Sequence, residues 1–125
     1  GRRIGIIDDS NVRGTTAKKI IRRLYDLGAT AVHMFYYTPP IVGPCFYGID
    51  TPDENRLVAF NRTNDEIREQ LGCDSVNYIS IENLIRGLSH PKERLCLACL
   101  TRDYPTDISA KTERVHGRLA DRCGT

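Results

Sequence analysis

Residues 3–37 constrain the fold more than any other part of the chain. Residues 3–8 (RIGIID) are a short run rich in β-branched side chains that ends on an acid, the pattern of a buried strand. DSNVRGTT follows, polar and glycine-containing, and leads into a helix. The apolar positions of that helix, Ile20, Ile21, Leu24 and Leu27, lie opposite Lys18, Lys19, Arg22 and Arg23. Thr15 or Thr16 is the expected cap and Gly28 the expected stop. Residues 31–37 (AVHMFYY) make a second strand. Two strands joined through one helix pair in parallel by a crossover, so the fold class is α/β: a parallel sheet with flanking helices.

Beyond Thr38 the texture changes. TPPIVGPCFYGIDTP holds four prolines and two glycines in fifteen residues and reads as an ordered, irregular connection. Two short helices are expected over 53–61 and 65–71, the second capped by Asn64 and stopped by Gly72. VNYIS reads as a strand and IENLIRGL as a helix; from Ser89 the chain reads as loop around CLAC, and from Ser109 as a loose tail. The expected division is therefore 1–88, 89–108 and 109–125.

The segment IGIIDDSNVRGTT carries the most chemistry. A strand delivers Asp8 and Asp9 to its C-terminal end, where open α/β sheets bind ligands. Ser10, Asn11, Val12, Arg13, Gly14, Thr15 and Thr16 then turn into a helix start, whose free N–H groups and dipole favour a phosphate. Two acids beside that cradle suit a polyhydroxyl group such as ribose, or Mg²⁺, which takes oxygen ligands. The segment is neither a GxxxxGK phosphate loop nor GxGxxG. Its bland reading is a strand ending in an acidic turn before a capped helix.

Five cysteines also need a reason: Cys45, Cys73, Cys96, Cys99 and Cys123. An odd number without a secretory leader argues against a disulfide framework and for metal or redox chemistry in a reducing cytoplasm. CLAC has the spacing of many metal sites, and Cys45, on a proline-stiffened loop, is a candidate third ligand. By spacing alone Cys73 or Cys123 can complete a set of four, and zinc fits as well as iron; a redox pair or two packed thiols is the bland alternative. His33, His90 and His116 share no ligand spacing, and His33 reads as a satisfied core histidine. The formal net charge of +2 gives no support for nucleic-acid binding, and no apolar run is long enough for a membrane span. With no initiating Met and a strand at the very start, the chain reads as a piece of something longer.

DDSNVRGTTAKKII resembles the phosphoribosyl-pyrophosphate motif of type I phosphoribosyltransferases, and that of the amidophosphoribosyltransferases in particular. PCFYGIDTP and CLACLTRDYPT resemble the cysteine-bearing segments of that family's iron–sulfur branch. The resemblance runs over about residues 1–108. It implies part of a type I phosphoribosyltransferase fold plus an irregular cysteine-bearing segment. It implies that Asp8 and Asp9 hold the ribose hydroxyls and help place Mg²⁺, while Ser10 to Thr16 wrap the 5′-phosphate. It further implies a structural [4Fe–4S] cluster on Cys45, Cys96 and Cys99, with the fourth ligand upstream and Cys73 a packed thiol. Asn11 stands where the family usually carries an aliphatic residue.

The implied reaction opens purine synthesis: phosphoribosyl pyrophosphate, glutamine and water give 5-phosphoribosylamine, glutamate and pyrophosphate. The expected partners are phosphoribosyl pyrophosphate, glutamine-derived ammonia and inhibitory purine nucleotides, in a cytoplasmic homo-oligomer, with no nucleic acid and no membrane. The glutaminase domain would lie outside these residues, leaving them inactive alone. The alternatives are a purine-responsive regulator on the same fold, or a small zinc-binding module.

Overall fold

The structure is a computed structural model that describes residues 1–109. Strand β1 (Arg3–Asp8), helix α1 (Thr15–Asp26) and strand β2 (Ala31–Tyr36) form the expected strand–helix–strand unit. Helix α2 (Asn64–Leu71), strand β3 (Ser75–Tyr78) and helix α3 (Ile81–Leu88) follow, and a single-turn helix α4 (Ala98–Thr101) closes the series. The sheet order is β1-β2-β3, parallel throughout, with Asp8 opposite Tyr36 and Tyr36 opposite Tyr78.

One face of the sheet holds the core. Val32, Met34, Tyr36 and Val76 pack there against Ala17 and Ile21 of α1 and Ile67 and Leu71 of α2. The α1 face is narrower than its spacing predicts: Ile21 is buried, whereas Ile20 and Leu27 are exposed. The stripe that meets the sheet runs through Ala17 and Ile21 at a four-residue step, and Leu27 lies beyond the helix as its C-cap. On the other face Ile7 and Phe35 remain 70% and 43% exposed. There His33 meets Ser75 Oγ at 2.9 Å and Arg3 at 3.3 Å, so it is satisfied, but half-buried rather than in the core.

Several boundaries differ from expectation for local reasons. The helix expected over 53–61 is only a 3-10 turn, Glu54–Arg56. Leu57, Val58 and Ala59 are all buried, which a one-sided surface helix does not achieve with consecutive residues. Val58 N–H instead donates to Val12 C=O at 2.8 Å, and Arg62 caps the Leu57 and Val58 carbonyls. The cap of α2 is Thr63, not Asn64: Thr63 and Glu66 form a reciprocal capping box. Strand β3 ends at Tyr78, because Ser80 is taken as the N-cap of α3. The segment after Ser89 is less loop-like than expected, holding a 3-10 turn at Lys92–Arg94 and α4 within the CLAC region. The tail expected to be loose, with Cys123 and His116, lies outside the described residues from 110 onward.

Candidate functional site

The loop between β1 and α1 is held from below and open above. Gly14 occupies the N-cap of α1 at φ 74°, in the left-handed region that favours glycine. A Cβ on Gly14 would stand 2.9 Å from Leu71 Cδ2 and 3.1 Å from Val58 Cγ2, so packing demands glycine as much as the backbone does. Neither Thr15 nor Thr16 caps the helix; among the described residues no side chain caps its first turn. Both threonines are exposed and line a cavity of about 480 Å³, leaving the helix start available to a ligand.

That cavity is lined by Asp8, Ser10, Asn11, Val12, Arg13 and Gly14 as well, so nearly the whole motif converges on one space. Asp9 is the exception: it is exposed, accepts a hydrogen bond from Ser10 Oγ at 3.0 Å, and is not among the lining residues. Its N–H donates to Asp8 Oδ1 at 3.0 Å, and its carbonyl accepts from Thr38 Oγ1 at 3.0 Å. Asn11 is buried at 4% exposure, and its amide donates to the Tyr78 hydroxyl at 3.4 Å. Sequence reasoning missed Asp50 and Pro52, which complete the wall. Their only signal was an acid among prolines in an irregular loop, which does not reveal where that loop returns.

The cysteine segments interlock. Val42 and Gly43 N–H both donate to Cys99 C=O, at 2.9 and 3.0 Å. Tyr104 OH donates to Pro44 C=O at 2.7 Å, and its ring lies 5.2 Å from that of Phe46. Cys45 and Cys99 are half-buried and Cys96 is exposed. Burial pushes the Cys99 thiol up, and Cys45 and Cys96 add to that, as neighbouring thiols do. Cys73 is apart and buried, its thiol pushed up by burial and directed at the Ser75 and Arg68 carbonyls. It is the packed thiol expected. Among the described residues no three His, Cys, Asp or Glu side chains converge as ligands of a single ion. A four-iron cluster takes one thiolate per iron and does not ask its ligands to meet at a point. Three thiols on two interlocked segments fit that donor set.

No family model matches the chain. Curated relatives do. It is 47% identical over 105 residues to amidophosphoribosyltransferase 2, chloroplastic, of Arabidopsis thaliana, covering 84% of this chain and 19% of that protein. It is 42% identical over 124 residues to the amidophosphoribosyltransferase of Bacillus subtilis, covering 96% and 26%. Among solved structures, the B. subtilis glutamine phosphoribosylpyrophosphate amidotransferase complexed with ADP and GMP superposes with a TM-score of 0.77 at 43% identity, over 85% of this chain and 24% of that one. The chain is homologous to the amidophosphoribosyltransferases. It spans about a fifth to a quarter of the length of these amidophosphoribosyltransferase relatives. Their sheet and helices share its α/β architecture.

Proposed function

We propose that this chain supplies the ribose-phosphate site of an amidophosphoribosyltransferase, which makes 5-phosphoribosylamine, glutamate and pyrophosphate from phosphoribosyl pyrophosphate, glutamine and water. The observation that carries the reading is the single cavity that gathers Asp8 and the loop from Ser10 to Thr16 at an uncapped helix start. The 5′-phosphate would take the backbone N–H groups of that loop and the hydroxyls of Ser10, Thr15 and Thr16. Asp8 would accept hydrogen bonds from the ribose hydroxyls. C1 loses pyrophosphate through an oxocarbenium-like transition state, and ammonia released from glutamine attacks it. Holding the sugar against the attacking ammonia is where the rate gain would lie, because ammonia is itself the nucleophile.

Asp8 and Asp9 are adjacent oxygen donors, and Mg²⁺ uses one or two carboxylates while keeping waters. Asp8, on the cavity wall, would hold the ion directly, and Asp9, beside that wall, would add its charge; the ion would supply charge neutralisation for the departing pyrophosphate. Cys45, Cys96 and Cys99 would carry three corners of a structural [4Fe–4S] cluster, the fourth coming from elsewhere in the protein. The B. subtilis enzyme complexed with ADP and GMP supports binding of purine nucleotides; inhibition through the same phosphate loop is the role proposed for them. Among the described residues no helix is long and apolar enough to cross a membrane; a cytoplasmic homo-oligomer is the setting proposed.

The test uses the protein at its full natural length. Asp8→Asn with Asp9→Asn should reduce phosphoribosylamine formation to background while the circular dichroism spectrum is unchanged. Near-normal turnover in that double variant would overturn the reading.

A further inference from the structure

Three side chains form a row across the C-terminal end of the sheet. The register sets Asp8 opposite Tyr36 and Tyr36 opposite Tyr78, and residues directly opposite one another point to the same face. The two tyrosine rings stack, 5.0 Å between centroids and 25° between planes. That stacking fixes Tyr36 between the acid and the second tyrosine. The Tyr78 hydroxyl accepts from Asn11 Nδ2, but the Tyr36 hydroxyl, on a residue only 3% exposed, has no hydrogen-bond partner among the described residues.

A buried hydroxyl without a partner is costly, and phenylalanine would fill the same space without that cost. The nearest acid in the row is Asp8, whose Oδ1 accepts from Asp9 N–H and whose carboxylate has further lone pairs to offer. A phenol keeps its proton at neutral pH, so the Tyr36 hydroxyl is a donor. Asp8 lines the cavity and Tyr36 does not, so Tyr36 acts on a ligand only through a neighbour, and Asp8 is the one with a free acceptor to offer its hydroxyl.

We infer that Tyr36 is a positioning residue: its hydroxyl donates to the Asp8 carboxylate when a ribose phosphate fills the cavity, fixing the rotamer that receives the sugar hydroxyls. The inference rests on the proposed ribose-phosphate site. An idle packed ring is the competing account, and the two differ in what phenylalanine does.

The experiment is calorimetric titration of the full-length protein with Mg²⁺-phosphoribosyl pyrophosphate, in four forms: parent, Tyr36→Phe, Asp8→Asn and both. Tyr36→Phe is expected to weaken binding about tenfold, as loss of a hydrogen bond to a charged group does. Its Tm should stay level or rise, and in the Asp8→Asn background it should weaken binding no further. If Asp8→Asn weakens binding while Tyr36→Phe binds as tightly as the parent, the positioning role is overturned and the site stands. Losses that add in full would also overturn it, because the hydroxyl would then act without Asp8. A parent that does not bind the ligand, or an Asp8→Asn form that binds as the parent does, removes both readings.

Discussion

At the scale of single residues, Gly14 shows how one position serves backbone and packing together. Its left-handed φ and the closeness of Leu71 and Val58 both exclude a side chain. Gly14→Ala should cost roughly 1–3 kcal/mol in denaturant unfolding, from strain plus overpacking. It should also weaken phosphoribosyl pyrophosphate binding, because relief would have to lift the loop. A variant as stable as the parent would mean that the loop is not held as described. Asn11 makes a different point. In the sequence it is a polar residue in a polar loop; in the fold it is buried and ties the loop to β3 through Tyr78. Nothing local announces that role, since Tyr78 lies 67 positions away.

Among the elements, α2 owes its start to two residues, Thr63 and Glu66. Thr63 N–H and hydroxyl donate to Glu66 Oε2 at 2.7 and 2.9 Å, and Glu66 N–H donates to Thr63 Oγ1 at 3.3 Å. Thr63→Ala should cost about 1 kcal/mol of stability, read from the denaturant midpoint. The bonds from Thr63, its backbone N–H first, hold the Glu66 carboxyl below its ordinary 4.5. Asp74 is held below its ordinary 3.8, first by the Tyr25 hydroxyl at 2.6 Å and then by Val32 N–H at 2.7 Å. Both values are lowered in the fold, so their stabilisation is complete above about pH 4.5 and is lost as pH falls through the folded values. The melting temperature of the parent should therefore drop in acid. Asp74→Asn together with Glu66→Gln should flatten that drop, and an unchanged acid slope would count against both bonds. The box follows a readable T-x-x-E pattern, yet the neighbouring Asn64 masked it, because asparagine is as good a cap as threonine.

For the whole molecule, the irregular segment after β2 joins the two candidate sites. Val58 supports the phosphate loop through Val12, while Glu54 pairs with Arg102 at 2.7 Å and Arg102 sits over the Phe60 ring. Arg102 directly follows α4, the short helix that contains Cys99. Anaerobically prepared full-length protein should contain iron and acid-labile sulfide. Replacing Cys45, Cys96 or Cys99 with serine should remove both and lower the melting temperature, whereas Cys73→Ser should keep the iron. Zinc without sulfide would point to the small metal module and sink the cluster. Loss of iron should also loosen the phosphate loop, seen as faster exchange of the Val58 amide that donates to Val12 C=O.

The sequence by itself determined the parts whose signals are local. The strand–helix–strand unit, the acids at the end of β1 and the glycine at the helix start are written in periodicity and in residue type over short distances. The distinction of Cys73 from the CLAC pair is not among them: spacing leaves it open as a fourth ligand, only the family resemblance sets it apart, and the fold buries it. Tertiary structure decided what depends on where distant segments meet. It folded 57–59 inward instead of into a helix, because their backbone is tied to Val12. It brought Asp50 and Pro52 to the cavity wall, left Asp9 out of that wall, and buried the Tyr36 hydroxyl without a partner among the described residues. Those outcomes rest on packing and hydrogen bonds between residues dozens of positions apart, and no local pattern encodes such a meeting.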